Sequence, residues 1–149
     1  MGVEIVAVTP THAARWRELY QGYADFYRRP SDDAHKDVVW GWLMDPNHEL
    51  EGYLALVDGI PQGLAHVRRM PSPLRGQDIG FLDDLFVDPA ARGHRVGEHL
   101  LAFLADLAGQ RGWGVIRWIT ADDNYRARAL YDRVAAKTAW NLYEMPAKS

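Results

Sequence analysis

The stretch from Leu85 to Glu98 restricts the fold more than any other part of the chain. Leu85-Phe86-Val87 is apolar and favours a strand, and Asp88-Pro89 stops it. Val96, Leu100, Leu101, Leu104 and Leu107 then recur at helical spacing, and Gly109 and Gly112 close the helix. A strand must therefore pass through a short turn containing Gly93 into a helix that Val96, Gly97 and Glu98 open. A helix start exposes unpaired N–H groups and the positive end of its dipole. With little bulk at Gly93 and Gly97, and with Arg92 and Arg95 beside them, a pyrophosphate could approach the backbone closely. From these residues alone, a plain strand-to-helix turn fits equally well. No Gly-Lys-Ser/Thr follows, so the segment is not a P-loop. It also lacks the full G-x-G-x-x-G dinucleotide fingerprint.

The rest of the chain supplies elements to place around that turn. Val3 to Val8 reads as a strand, and Thr11 is a candidate helix cap. Trp16, Leu19, Tyr20, Tyr23, Phe26 and Tyr27 form one stripe on a helix ending near Pro30. Val38, Val39, Trp42 and Leu43 predict a shorter helix, ended by Asp45-Pro46. Tyr53–Val57 and Gly63–Val67 are strand-like runs joined at Asp58-Gly59, a hairpin signal. Ile79–Val87 and Val115–Ile119 are further strands, Asn124–Val134 a helix, and Thr138–Tyr143 a last strand. The order β, α, α, β, β, β, α, β, α, β predicts a mixed α/β sheet with helices on both faces. At 149 residues, a single domain spanning 1–149 is expected.

The formal net charge of −3 disfavours a nucleic-acid partner, while carboxylates gathered in one cleft would suit a cationic substrate. The chain has no cysteine, which excludes disulfides and thiolate chemistry and fits the cytoplasm. No signal peptide is visible at the start, and no apolar run approaches the ~20 residues needed to span a bilayer. His12, His35, His48, His66, His94 and His99 show no metal-binding spacing, so no metal is expected.

Val87-Asp88-Pro89 followed by Arg92-Gly93-His94-Arg95-Val96-Gly97 resembles the acetyl-CoA signature of the GNAT superfamily of N-acetyltransferases, Arg/Gln-x-x-Gly-x-Gly/Ala. Arg92 fits the first position and Gly97 the last, while Arg95 stands where glycine is commoner. A positive φ at Arg95 would be strained. Downstream, Asn124-x-x-Ala127-x-x-Leu130-Tyr131 is similar to the second motif of the family. The resemblance is carried from about Phe81 to Tyr131, and the ending Val134–Trp140 looks closer to the yeast histone and polyamine acetyltransferases. It implies a mixed, mostly antiparallel sheet of six to seven strands and acetyl-CoA as cosubstrate. It also implies a small amine, polyamine or protein lysine as acceptor, and by analogy a homodimer. The residues it places at the cosubstrate are Leu85, Phe86, Val87, Arg92, Gly93, His94, Arg95, Val96, Gly97, Glu98, Asn124, Ala127 and Tyr131.

Amine acetylation requires loss of the amine's proton, a polarised thioester carbonyl and a stabilised leaving thiolate. By the resemblance, Tyr131 protonates the thiolate and Asn124 holds the pantetheine region. By their surroundings in sequence alone, Tyr131 could equally be a core tyrosine and Asn124 a helix cap. Asp83 and Asp84 lie inside a strand, where carboxylates are unusual. Neighbours on a strand face opposite ways, so both can reach one cleft only across a bulge. The segment looks like the Leu-Glu-Asp stretch of spermidine/spermine acetyltransferases, which implies Asp83 as base and Asp84 as cation contact. A structural pairing with Arg68 or Arg69 is the other reading. The backbone of Leu85 and Val87, on a strand splayed from its neighbour, would take pantetheine and the acetyl carbonyl. A catalytically silent acyl-CoA-binding module is the alternative function.

Overall fold

A computed structural model describes residues 2–148. The chain divides into two compact units, Met1–Ile119 and Thr120–Ser149. The first unit contains β1 (Val3–Ala7), α1 (Ala13–Phe26), α2 (Asp33–Met44), β2 (Leu50–Val57), β3 (Ile60–Ser72), β4 (Gln77–Val87), α3 (Val96–Arg111) and β5 (Ile116–Arg117). The second contains α4 (Tyr125–Val134).

The sheet runs in the order β1-β2-β3-β4-β5, antiparallel except for the parallel pair β4–β5. It is mixed and mostly antiparallel, as expected, but has five strands rather than six or seven. The missing strand is Thr138–Tyr143, which adopts no regular structure. A strand exists only through a ladder of partner hydrogen bonds. Alternating apolar residues did not supply one here, and Trp140, Leu142 and Tyr143 remain exposed. Val115–Ile119 is likewise cut to two paired residues.

The hairpin between β2 and β3 forms at Asp58-Gly59, both with positive φ (51° and 83°), the pairing that matches strand twist. Helices cover both faces because successive strand residues point opposite ways. Leu64 joins Trp16, Leu19, Tyr20, Val39 and Leu54 in the core under α1 and α2. Its neighbour Gly63 faces α3, where an added Cβ would stand 2.6 Å from Val96 Cγ1 and 3.2 Å from Leu100 Cδ1. Only a glycine lets the first turn of α3 lie flush on β3. Asp32 caps α2 by accepting the His35 N–H at 2.8 Å. Lys36, buried on α2, donates to Gln21 Oε1 of α1 at 2.6 Å and to the Ser31 carbonyl at 3.0 Å, tying the two helices together. Trp16 is sealed at the centre of this layer, and truncating it to alanine would cost about 3–5 kcal/mol.

Candidate active site

The strand-to-helix turn forms as expected. Asp88 ends β4. One carboxylate oxygen accepts the Ala90 N–H at 2.9 Å, and the other accepts from Arg15 at 2.9 Å. Those two donors, the Ala90 amide first, hold its carboxyl below the ordinary range. Arg15 also binds the Pro61 carbonyl at 2.8 Å and Gln62 Oε1 at 3.0 Å, so α1 anchors the turn to the start of β3. Gly93 has φ 95° and open space where a side chain would stand. Arg95 caps α3 at φ 55°, ψ 37°, in the left-handed region. The strain foreseen for that conformation is therefore present, at about 1–2 kcal/mol for an L-residue. Its side chain extends into solvent, 80% exposed, with Glu98 at 3.8 Å. Val96 is buried, and His94 and Gly97 are half-buried. The first helical hydrogen bond runs from the His99 N–H to the Arg95 carbonyl at 3.0 Å. The amides of Val96 and Gly97 thus lie ahead of the helical ladder, a donor set suited to a phosphate.

β4 also carries an open edge. β5 pairs with it only at Gly80 and Phe81, so from Leu82 to Val87 no strand adjoins that side among the described residues. Leu85 and Val87 belong to this stretch, and Phe86 turns its ring into the core beneath α1.

The acid pair sits on the same strand, and the required bulge is present. Opposite β3, Ala65 pairs with Leu85, His66 with Asp84 and Val67 with Leu82, leaving Asp83 as the inserted residue. Asp84 Oδ2 lies 2.7 Å from His66 Nδ1, and Asp83 Oδ2 accepts from Arg68 Nε at 2.8 Å. His66 and Arg68 are two apart on β3 and share its α1 face. Both carboxylates therefore reach the same side of the sheet. The anticipated pairing of an acid with Arg68 is real for Asp83, whereas Arg69 pairs with Asp78. Asp84 keeps 18% of its side chain exposed.

Tyrosines of α1 cover this pair. The Tyr20 ring meets His66 edge-on at 5.3 Å, and Tyr23 lies 6.1 Å from Tyr20 and 5.0 Å from Tyr27. The Tyr23 hydroxyl donates to the Asp83 carbonyl at 3.4 Å. Burial first, then the charges of Asp84 and Asp83, push the Tyr20 phenol up to about 12. Burial and Asp84 raise Tyr23 further still. Both phenols stay protonated at neutral pH beside an anionic cluster. Arg15 and His66 were not legible as site residues, whereas Trp16, Tyr20 and Tyr23 were legible only as aromatics of a helix that, by the resemblance, borders the acceptor cleft. The available signal for His66 was a histidine on the apolar face of a strand.

In the second unit, Asn124 caps α4, its side chain accepting the Ala127 N–H at 3.4 Å. The cap reading is therefore realised and engages the Ala127 amide. Tyr131 is half-buried on α4. A separate cavity of about 520 Å³ lies at the other end of α3, among Glu51, Tyr53, His48, Arg69 and Arg111. It includes neither Asp83, Asp84 nor any residue of the turn. Within it Arg111 forks onto Glu51 at 2.8 Å twice and the Tyr53 hydroxyl donates to the same carboxylate.

Residues 16–135 match the model of the acetyltransferase (GNAT) family. The chain is 28% identical to a D-amino-acid N-acetyltransferase of Saccharomyces cerevisiae over 95% of its own length and 89% of the relative. It is 29% identical to a thialysine N-epsilon-acetyltransferase of Caenorhabditis elegans, over 88% and 81% of the two chains. A ribosomal-protein-alanine N-acetyltransferase of Brucella melitensis biovar Abortus 2308 shares the fold, with TM-score 0.83 and 24% identity across 99% of this chain and 100% of that one.

Proposed function

The chain belongs to the acetyltransferase (GNAT) family and is an enzyme that transfers acetyl groups, and on that premise we propose that it acetylates the primary amine of a small, positively charged acceptor at Asp84. The observation that carries this reading is the contrast between the two carboxylates on the β4 bulge. Asp83 is paired with the Arg68 guanidinium, whereas the ring beside Asp84 is a buried histidine and the other neighbours are tyrosines. The negative charge left over belongs to Asp84, under aromatic rings that favour an ammonium.

Acetyl-CoA would supply the thioester. The amides of Val96 and Gly97, with Gly93 giving space, fit its pyrophosphate. The open β4 edge at Leu85 and Val87 fits its pantetheine, with Arg92 and Arg95 adding positive charge near the phosphates. Asp84 holds the acceptor ammonium and takes its proton, directly or through water, so that the amine can attack in a ternary complex. Asp83, held by Arg68, shapes the anionic wall. This reverses the division of labour that the resemblance alone implied. For the departing sulfur, the resemblance alone offers the Tyr131 phenol of the second unit as proton donor, and Asn124 caps the helix that carries it.

A small acceptor is favoured by the relatives, named for D-amino acids and thialysine. Both substrates carry an amine on a compact body. A polyamine meets the same chemistry, as in the yeast polyamine branch, and a protein lysine is the larger variant. A silent acyl-CoA-binding module has no observation in its favour. Action within the cytoplasm and as a homodimer belongs to the same proposal. The test is free-thiol release from acetyl-CoA over a panel of amino acids, diamines, polyamines and lysine peptides. Turnover on small cationic amines supports the reading, and turnover confined to peptides overturns the acceptor assignment.

A further inference from the structure

His66 is fully buried in the middle of β3, yet both of its ring nitrogens are engaged. Trp16 Nε1 donates to His66 Nε2 at 3.0 Å, and His66 Nδ1 stands 2.7 Å from Asp84 Oδ2. An indole N–H can only donate. His66 Nε2 must therefore accept, and in a neutral imidazole the single ring proton must sit on Nδ1, directed at the Asp84 carboxylate. An imidazolium would put a second N–H against that of Trp16, with no acceptor between them. The ring cannot turn over either, because Trp16 and Tyr20 pack against it at 5.9 Å and 5.3 Å between centroids.

We infer that His66, locked by Trp16, is a positioning residue for the acetyl-transfer site: it holds Asp84 by one carboxylate oxygen without neutralising its charge. The inference rests on the reading of Asp84 as the acceptor's anion. A lysine or arginine in place of His66 would orient the carboxylate equally well but would cancel its charge, as Arg68 does for Asp83. A histidine able to protonate would do the same. The tryptophan cap removes that option, and Nε2, being occupied, leaves His66 no lone pair to serve as a base. Three side chains from α1, β3 and β4 thus form one directed chain of hydrogen bonds, sealed at the tryptophan and open at the carboxylate.

The charged and titratable groups around His66 are few. From β4 it meets Asp84 and, one step farther, Asp83 with Arg68 of β3. From α1 it meets Tyr20 and then Tyr23, both raised. His35 at the start of α2 touches Tyr20 at 5.6 Å, and Lys36 is bound by Gln21 and Ser31. From β2, Gly52 lies opposite and brings no charge.

The direct test is a long-range proton–nitrogen correlation spectrum of the enzyme with nitrogen-15 histidine, recorded across neutral pH. The expected result is a His66 ring that carries its proton on Nδ1 and none on Nε2, and that loses this fixed tautomer in Trp16→Phe. A His66 protonated at Nε2 overturns the inference. Kinetics supply the second arm. In His66→Asn the amide nitrogen can replace Nδ1 as donor, whereas His66→Leu leaves none. His66→Leu should lose roughly 10–100-fold in kcat at unchanged KM for acetyl-CoA, with His66→Asn recovering part of it. Equal rates for the folded Leu variant and the wild type overturn the positioning role alone. Full turnover by Asp84→Asn would instead remove the site reading itself, and the role of His66 with it.

Discussion

In the turn ahead of α3, Arg92, Gly93 and Arg95 are exposed and the donors on offer are backbone amides. Around the β4 bulge, the donors to both carboxylates are side chains, and His66 and Trp16 are sealed from solvent. The two regions lie on one strand-turn-helix segment, but they obey different physics. A backbone site tolerates many side chains as long as each residue can adopt its φ and the strand beneath stays flat. A buried side-chain site depends on particular atoms, because an unpaired polar group there costs about 1–3 kcal/mol. The difference teaches where substitutions should hurt binding and where they should hurt chemistry.

That contrast can be broken most forcefully at Gly97. Gly97→Glu brings bulk and negative charge to the amides that would face the pyrophosphate. It should weaken coenzyme A binding by roughly 100-fold or more, measured by calorimetry. Unchanged affinity would remove the turn from the site. Next in size is Gly63→Val, whose methyls must displace Val96 and Leu100. It should cost about 1–3 kcal/mol in denaturant unfolding and weaken coenzyme A binding through the displaced helix start. Loss of stability with intact binding would mean that the position of α3 does not matter.

The same comparison is sharpened by Arg95→Gly. Removing the strained left-handed arginine should stabilise the fold by about 1 kcal/mol or less, because glycine recovers the strain but adds unfolded-state entropy. Coenzyme A affinity should stay within a few-fold. A large loss of affinity would show that the Arg95 side chain is itself a phosphate ligand. The smallest effect concerns Asp88. Its folded carboxyl lies below the ordinary 3.8, held there by Ala90 and Arg15. Its contribution is therefore complete above about 3.8 and is lost as the pH falls toward the lower folded value. The difference in Tm between wild type and Asp88→Asn should be constant near neutrality and shrink in acid. A gap that widens in acid would give Asp88 the wrong sign.

Local signals made the backbone region readable. Asp88-Pro89, the apolar stripe of α3 and Gly112 at its end marked a strand, a turn and a helix within a few residues of one another. Even Arg95 could be flagged, because the motif wants glycine there. The side-chain region was readable only in part. Two acids in a strand were anomalous by themselves, and the need for a bulge followed from strand alternation. Arg68 could be named as a partner because it lies near in sequence, but His66 and the tryptophan behind it could not follow. Trp16 lies 50 residues from His66 in sequence, and Arg15 lies 73 from Asp88. Long-range pairs of this kind leave no periodic trace. The failed strand at Thr138–Tyr143 has the converse cause, an apolar alternation without a ladder to join. The family match runs along residues 16–135, while the proposed acceptor site rests on a few atoms around Asp84.

The central claim is that the uncompensated carboxylate on the β4 bulge serves the acceptor amine. The most direct measurement is thiol release with a small diamine at saturating acetyl-CoA, near neutral pH, for Asp84→Asn and Asp83→Asn side by side. Asp84→Asn should fall by ~100-fold or more, the scale of a lost general base, while Asp83→Asn stays within ~10-fold of wild type. Equal losses, or the larger loss at Asp83, would contradict the assignment.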